Sequence, residues 1–293
     1  MSTIEKALAR KAAKQSLEKN AESSEQAATT TKDPIVHSND RSPEIAEDRI
    51  VLTVDTTSLS ERGYLIDTGE RKSIKDEFRQ IKRKLLNNAF GSGAKLLHHP
   101  NLIMVSSAKP NEGKTFVSVN LALSIALEQD KKVLLIDADV LRPSVNRELG
   151  LENTEGLIEY LLQPEKQVSD VLFDTNINNL KVMPAGQPHH LSNELLASER
   201  MAALATELAT RYPDRVVIFD CPPLIGVTET LVLANLVGQA IMVVEESKTT
   251  IASIKAATES LNEDLALGIV MNKAIRSHKD LYGYYGYGYG EKD

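Results

Sequence analysis

Apolar and polar positions follow two regimes along this chain. Short blocks rich in Val, Ile and Leu recur near residues 102–107, 133–137, 215–220, 240–244 and 267–272, with a weaker one at 181–184. These blocks lack a period of two, so they predict strands buried on both faces. Between them apolar residues recur at intervals of three and four, which predicts helices over 73–90, from Gly113 to about Gln129, over 193–212 and over 250–262. In the first of these, Ile74, Phe78, Ile81, Leu85 and Ala89 make one apolar stripe, and Lys75, Arg79, Lys82, Arg83 and Lys84 make a basic face. Gly91 and Gly93 then end it. Strands alternating with helices predict an α/β fold with a doubly wound, mostly parallel sheet. Ligands in such sheets sit at the carboxyl ends of the strands.

The pattern is different before residue 73. Residues 1–20 predict a short helix with Ile4, Leu8 and Ala12 on one side and Lys6, Arg10, Lys11 and Lys14 around them. A docking helix for a partner or an anionic membrane and a solvated terminus both fit it. Residues 21–48 are rich in Ser, Thr, Glu, Asp, Asn and Pro, the composition of a disordered linker. Residues 50–54 read as one strand or an extended docking segment. The expected organisation is an extension over 1–72, largely disordered, a globular domain over 73–278, and a flexible tail over 279–293.

Charge and cysteine count narrow the function classes. The formal net charge of −7 argues against a general nucleic-acid binder, so an anionic ligand must be held by local design. One cysteine, Cys221, excludes an internal disulfide framework and points to a reducing, cytoplasmic setting. No apolar run reaches the roughly 18 residues of a membrane span. Membrane recruitment would therefore fall to a partner or a surface helix. The pairs His98-His99 and His189-His190 lack the spacing of a zinc site and read as loop residues.

The chemistry converges on the stretch after the first buried strand. Residues 108–115 fit the P-loop spacing with Ala108 in place of the first Gly, and Gly113, Lys114 and Thr115 open a helix. Backbone N–H groups and the helix dipole favour an anion there. Lys114 can reach the β- and γ-phosphates, and the Thr115 hydroxyl can ligate Mg²⁺. Asp137 and Asp139 leave one strand end, with Arg142 three residues on. Asp220 ends another, before Cys221 and two prolines. Such carboxylates can hold Mg²⁺ and accept a proton from an attacking group. The tail carries Tyr282, Tyr284, Tyr285, Tyr287 and Tyr289, spaced by glycines. Beside an ATP site they read as phosphate acceptors; by composition alone they read as a sticky low-complexity tail.

Taken together, residues 73–293 resemble the bacterial P-loop tyrosine autokinases of capsule and exopolysaccharide synthesis. The loop 108–115, the segments 135–142 and 216–220, the pairing of 184–186 with 193–196, and the tyrosine cluster carry the resemblance. It implies a deviant Walker, MinD-like P-loop fold using ATP and Mg²⁺. The implied nucleotide contacts are Ala108, Lys109, Pro110, Asn111, Glu112, Gly113, Lys114, Thr115, Phe116, Arg142 and Asn272. Lys114 would grip the phosphates, and Thr115, Asp139 and Asp220 would hold the metal together with Asp137, the candidate activator of the acceptor tyrosine. Family members form rings in which one subunit's tail enters its neighbour's site, and the ring contact uses a Glu-x-x-Arg-x-x-Arg helix. Asp76, Arg79 and Lys82 stand at the matching positions, so two of three differ, and Arg-to-Lys loses bidentate pairing. The chain resembles the separately expressed form, activated by a membrane polysaccharide co-polymerase, reset by a tyrosine phosphatase and recruited to the inner face of the membrane. Its first residues resemble the exosortase-associated branch. Lys109 favours the alternative of a MinD- or ParA-like ATPase, and a non-enzymatic, ATP-gated scaffold is a third reading. An iron–sulfur reductase on this fold would need more cysteine.

Overall fold

The computed structural model describes residues 50–66, 73–212 and 214–275. The expected N-terminal helix, the linker and the five tail tyrosines lie outside the described residues. In chain order the elements are β1 (Val51–Leu52), α1 (Thr56–Glu61), α2 (Ser73–Phe90), β2 (Leu102–Ser107), α3 (Lys114–Ala126), β3 (Lys132–Asp137), α4 (Val145–Leu149) and α5 (Leu157–Leu162). There follow β4 (Phe173–Thr175), β5 (Leu180–Met183), α6 (Ser192–Leu196), α7 (Glu199–Arg211), β6 (Arg215–Asp220), α8 (Thr228–Ala234), β7 (Gln239–Glu245), α9 (Ile251–Thr258) and β8 (Ala266–Asn272).

Among the described residues the strands form one sheet in the order β1-β4-β5-β3-β6-β2-β7-β8. Every pairing is parallel except that of β4 with β5. All six residues of β2 are buried, and successive side chains serve opposite faces of the sheet. Leu102 and Met104 join Leu134, Ile136, Val217 and Phe219 in a core that includes residues of α5 and α7. Ile103 and Val105 join Leu135, Val216 and Ile218 in a second core with α2 and α3. Two covered faces explain why the central strands β2, β3, β6 and β7 read as unbroken apolar runs.

β2 and β3 lie on either side of β6, so the chain crosses over between its first two central strands. The carboxyl ends of β2, β3 and β6 are therefore neighbours. Asp137 and Asp220 are Cα partners in the ladder, and Val105 pairs with Asp220 from the other side.

Three expectations need correction. Residues 51–66 are part of the fold: β1 pairs with β4, and Val54, Leu59, Tyr64 and Leu65 are buried in the second core. Asn176 accepts from the Val54 amide and donates to its carbonyl, and Asn120 of α3 accepts from the Leu65 amide at 2.8 Å. The boundary expected at residue 73 therefore falls inside the packed chain. The single helix expected over 193–212 is two, because Ser198 leaves helical geometry and its Oγ accepts from the Met201 amide as a cap. The strand expected at 267–272 to be buried on both faces is β8 at the edge of the sheet, and its Leu267, Ile269 and Met271 are exposed.

Candidate active site

The loop after β2 is held open by its own backbone and by the far strands of the sheet. Asn111 and Gly113 take positive φ, 66° and 95°. A Cβ at residue 113 would collide with the Asn272 side-chain amide, so this position requires glycine on two counts. The buried Glu112 carboxylate accepts from the Lys109 amide at 2.7 Å and from the Thr249 hydroxyl. Asn272, at the end of β8, donates to the Glu112 carbonyl at 2.9 Å, and Lys273 donates to the Asn111 carbonyl at 2.7 Å. Lys273 is itself paired with Glu245 at 3.0 Å. The loop is thus pinned from the ends of β7 and β8, by residues 137 to 162 positions further along the chain.

Behind the loop the three strand-end acids gather. Lys114 Nζ lies 2.6 Å from Asp139 Oδ2. The Thr115 hydroxyl donates to Asp220 Oδ2 at 2.7 Å and touches Ser144 Oγ at 2.7 Å, and Ser118 donates to Asp220 Oδ1 at 3.0 Å. Asp137 accepts from the amides of Ser144 and Val145, each at 2.9 Å, and from that of Asp139 at 3.2 Å. The Arg142 amide closes a turn onto Asp139 at 3.1 Å.

Three acids this close cannot all carry charge at ordinary cost. Burial is the largest cause that raises Asp137, to about 7, and the neighbouring Asp220 adds to it. Asp220 is raised as well, chiefly by burial, against the pull of Lys114, Thr115 and Ser118. Burial would lower Lys114, but Asp220, Asp139 and Asp137 together hold it above its ordinary value. Lys114 is therefore a fixed cation facing acids that share too few counter-charges. A divalent metal would relieve that imbalance.

The loop opens on a cleft of about 720 Å³. Pro110, Asn111, Gly113, Lys114, Thr115, Phe116, Asp139 and Arg142 line it. Of the three acids only Asp139 faces the cleft; Asp137 and Asp220 form the floor beneath it, 1% and 0% exposed. Ala108 is buried at the end of β2, Lys109 is exposed outside the lining, and Asn272 touches the loop from β8. The expected subunit-contact residues are not in the cleft. Asp76 and Arg79 pair with each other on α2 at 2.7 Å. Lys82 is only 7% exposed, donates to the Ser124 carbonyl at 2.9 Å and pairs with Glu128, so the basic face of α2 is not wholly a solvated one.

One wall was not legible in the sequence. Arg62 and Tyr64, from the stretch assigned to the extension, line the cleft beside Arg147 and Glu148. Tyr64 donates to Glu148 Oε2 at 2.7 Å, Arg62 pairs with the same oxygen at 3.1 Å, and the Tyr64 ring lies 5.1 Å from that of Phe116. Burial, and then Glu148, push the Tyr64 phenol above its ordinary value. No motif marks these residues; the scattered apolar positions Val54, Leu59, Tyr64 and Leu65, all buried, were the available signal.

Comparison with known proteins fits this geometry. Residues 100–267 match the model of the AAA domain family. Tyrosine-protein kinase YwqD of Bacillus subtilis is 37% identical over 187 residues, 63% of this chain and 77% of that protein. Tyrosine-protein kinase wzc of Salmonella typhimurium is 31% identical over 194 residues, 64% of this chain but 26% of that much longer protein. The kinase domain of Escherichia coli tyrosine kinase ETK matches with a TM-score of 0.59 at 25% identity, covering 83% of this chain and 96% of that one. With a P-loop, paired strand-end acids and relatives of this kind, the chain belongs to the bacterial P-loop tyrosine-kinase family.

Proposed function

We propose that this protein is an ATP-dependent tyrosine autokinase that phosphorylates Tyr282, Tyr284, Tyr285, Tyr287 and Tyr289 of its own tail and so regulates exopolysaccharide or capsule polymerisation and export. The observation that carries the reading is the arrangement of Lys114, Thr115 and Asp139 at one cleft, with Asp220 bonded to Thr115 from below. The residues fit both ligands. A loop that admits no Cβ at residue 113 gives its backbone to phosphate oxygens. Thr115, Asp139 and Asp220 supply the hard oxygen donors that Mg²⁺ takes. When bound, Mg²⁺ would offset charge on the phosphate oxygens.

The chain's own groups do the rest. Lys114, kept protonated by its acids, turns from Asp139 to the phosphates. The acceptor phenol oxygen attacks the γ-phosphorus, the bond to the bridging oxygen of ADP breaks, and the phenolic proton passes to a carboxylate. Asp137, with a pKa near 7, has the basicity for that proton. Asp139 is the one of the three acids that lines the cleft. Arg142 and Arg147 add positive charge to the wall.

Assembly and placement belong to the same proposal. Asp76 and Arg79, the latter with a 54% exposed side chain, would supply the subunit contact of a ring. Lys82 would act indirectly, by fixing α2 to the end of α3. Among the described residues no helix is long and apolar enough to cross a membrane. A membrane polysaccharide co-polymerase would activate the kinase at the inner face of the membrane, and a phosphatase would reset it.

The test is to incubate the full chain with labelled ATP and Mg²⁺ and to map the label. Phosphotyrosine on the tail supports the kinase. Free phosphate alone would return the protein to a MinD-like ATPase, and no turnover to a scaffold.

A further inference from the structure

A second pocket opens at the opposite end of the sheet, where β3, β5 and β6 begin. It measures about 240 Å³, and its lining includes Lys132, Lys181, Arg215, Asp174, Thr175 and Asn179. Lys132 and Arg215 are Cα partners at the start of β3 and β6, as Asp137 and Asp220 are at the far end. The length of β6 puts Arg215 roughly 17 Å from Asp220 along the strand. The pocket is therefore separate from the nucleotide cleft.

Its charges do not balance. Asp174 is paired with Lys181 at 2.5 Å, and Asp214 with Lys132 at 3.2 Å. That leaves Arg215, which is 6% exposed, with no carboxylate of its own among the described residues. Its Nε–H is buried without a hydrogen-bond partner. Tyr212 covers one face of the guanidinium at 4.2 Å, a contact that does not satisfy the Nε–H. Burial pulls the Arg215 pKa below its ordinary value, yet an arginine does not give up its proton in a protein. A buried, unpaired cation is costly and calls for a counter-ion.

The walls are set to receive one. Asn179 donates to the carbonyls of Ala126 and Glu128 at 3.3 and 3.1 Å, and its own carbonyl accepts from Val133. Thr175 Oγ1 accepts from the Ile177 amide and donates to the Leu180 carbonyl at 2.9 Å. These bonds fix the turn between β4 and β5 over the strand ends. A guanidinium edge matches the paired oxygens of a phosphate group. At about 30 Å³ per water, the volume suits such a group with a few waters. A whole nucleotide would not fit.

We propose that this pocket is a second anion site, one that binds a small phosphate-class oxyanion on Arg215 with Lys132 and Lys181 at its rim. The site takes either free phosphate or the phosphate end of a small monoester, and the experiment separates these sources. The full chain is labelled with ¹⁵N-arginine, the Arg215 Nε–H resonance is assigned through Arg215→Lys, and sodium phosphate, phenyl phosphate and sodium chloride are titrated at constant ionic strength. This readout is local to the pocket, so phosphate bound at the P-loop does not register.

The expected result is a saturable shift with phosphate and none with chloride. Lys181→Gln, a substitution at the rim, should weaken it about tenfold, the loss of one charge-assisted contact. An equal response to phenyl phosphate assigns the site to monoesters; a response to inorganic phosphate alone assigns it to the free ion. A resonance that neither compound moves, that follows chloride equally, or that is indifferent to Lys181→Gln overturns the proposal and leaves Arg215 to its neighbours Tyr212, Asp214 and Asp174.

Discussion

Lys114 and Asp139 are bound to each other across the mouth of the cleft, Nζ to Oδ2 at 2.6 Å, with both side chains largely buried. The cation intended for phosphate is thus already partnered by an acid intended for the metal. Lys114→Met should remove nearly all tail phosphorylation, by about a hundredfold or more. It should also lower the stability of the nucleotide-free protein by about 3 kcal/mol, because it strips a cluster of buried acids of the cation paired with it. Phosphotyrosine blots and denaturant titration check the two effects. Wild-type labelling in the variant would refute the P-loop assignment.

The acids make stability depend on pH with a definite sign. Asp137 is raised from 3.8 to about 7 in the folded chain. The folded state therefore keeps a proton that the unfolded state loses. The stabilisation is complete below about pH 4 and disappears as pH rises through 7. Denaturant titrations from pH 4 to 8 without nucleotide should show this decline, and Asp137→Asn should flatten it. Tyrosine transfer with Mg²⁺ present should fall in Asp137→Asn if Asp137 accepts the phenolic proton. Equal pH slopes in wild type and Asp137→Asn would remove Asp137 from the account.

The basic face of α2 divides into two kinds of residue. Arg79→Ala should cost little stability, since its pair with Asp76 is exposed. It should nevertheless shift the unphosphorylated protein to smaller species in sedimentation. Lys82→Ala should cost about 2 kcal/mol, because a buried ammonium with two partners is lost. Sedimentation unchanged by Arg79→Ala would sink the subunit contact.

The wall contributed by residues 51–66 should act on binding. Arg62→Ala should raise the KM for ATP about three- to tenfold with kcat near wild type, as expected when uniform binding is lost. Steady-state kinetics decides the matter: a fall in kcat at unchanged KM would move Arg62 into the transition state.

Phosphorylation of the tail should reverse assembly. Each phosphate adds about −1.5 to −2 charges, so five add on the order of eight to ten. A segment so charged is a poor occupant of a cleft whose floor is Asp137 and Asp220. Light scattering should find the unphosphorylated chain oligomeric and the multiply phosphorylated chain monomeric. Changing all five tail tyrosines to Phe should keep the oligomer in the presence of ATP. An undiminished oligomer after full phosphorylation would instead make the tail a docking signal.

What the sequence determined by itself was whatever depends on neighbours along the chain. Unbroken apolar runs placed the central strands because both of their faces are covered. Gly113, Lys114 and Thr115 declared a phosphate loop because an anion-binding helix start needs those residues in that order. Asp137, Asp139 and Asp220 were legible because strand ends in a parallel sheet share one edge.

The tertiary structure decided what depends on distant partners. Glu112 holds the loop through Thr249, and Lys273 holds it through Asn111, contacts that no local spacing records. Lys82 reads as one more exposed lysine until α3 brings the Ser124 carbonyl and Glu128 to it. Tyr64 sits in a stretch of weak pattern and becomes a cleft wall because Glu148 and Phe116 converge on it. Arg215 opens a strand like any polar flank. Only the pairing of Lys132 with Asp214 and of Lys181 with Asp174 leaves it a buried charge without a partner. Charge balance is a property of the assembled neighbourhood, and a linear pattern of residues does not contain it.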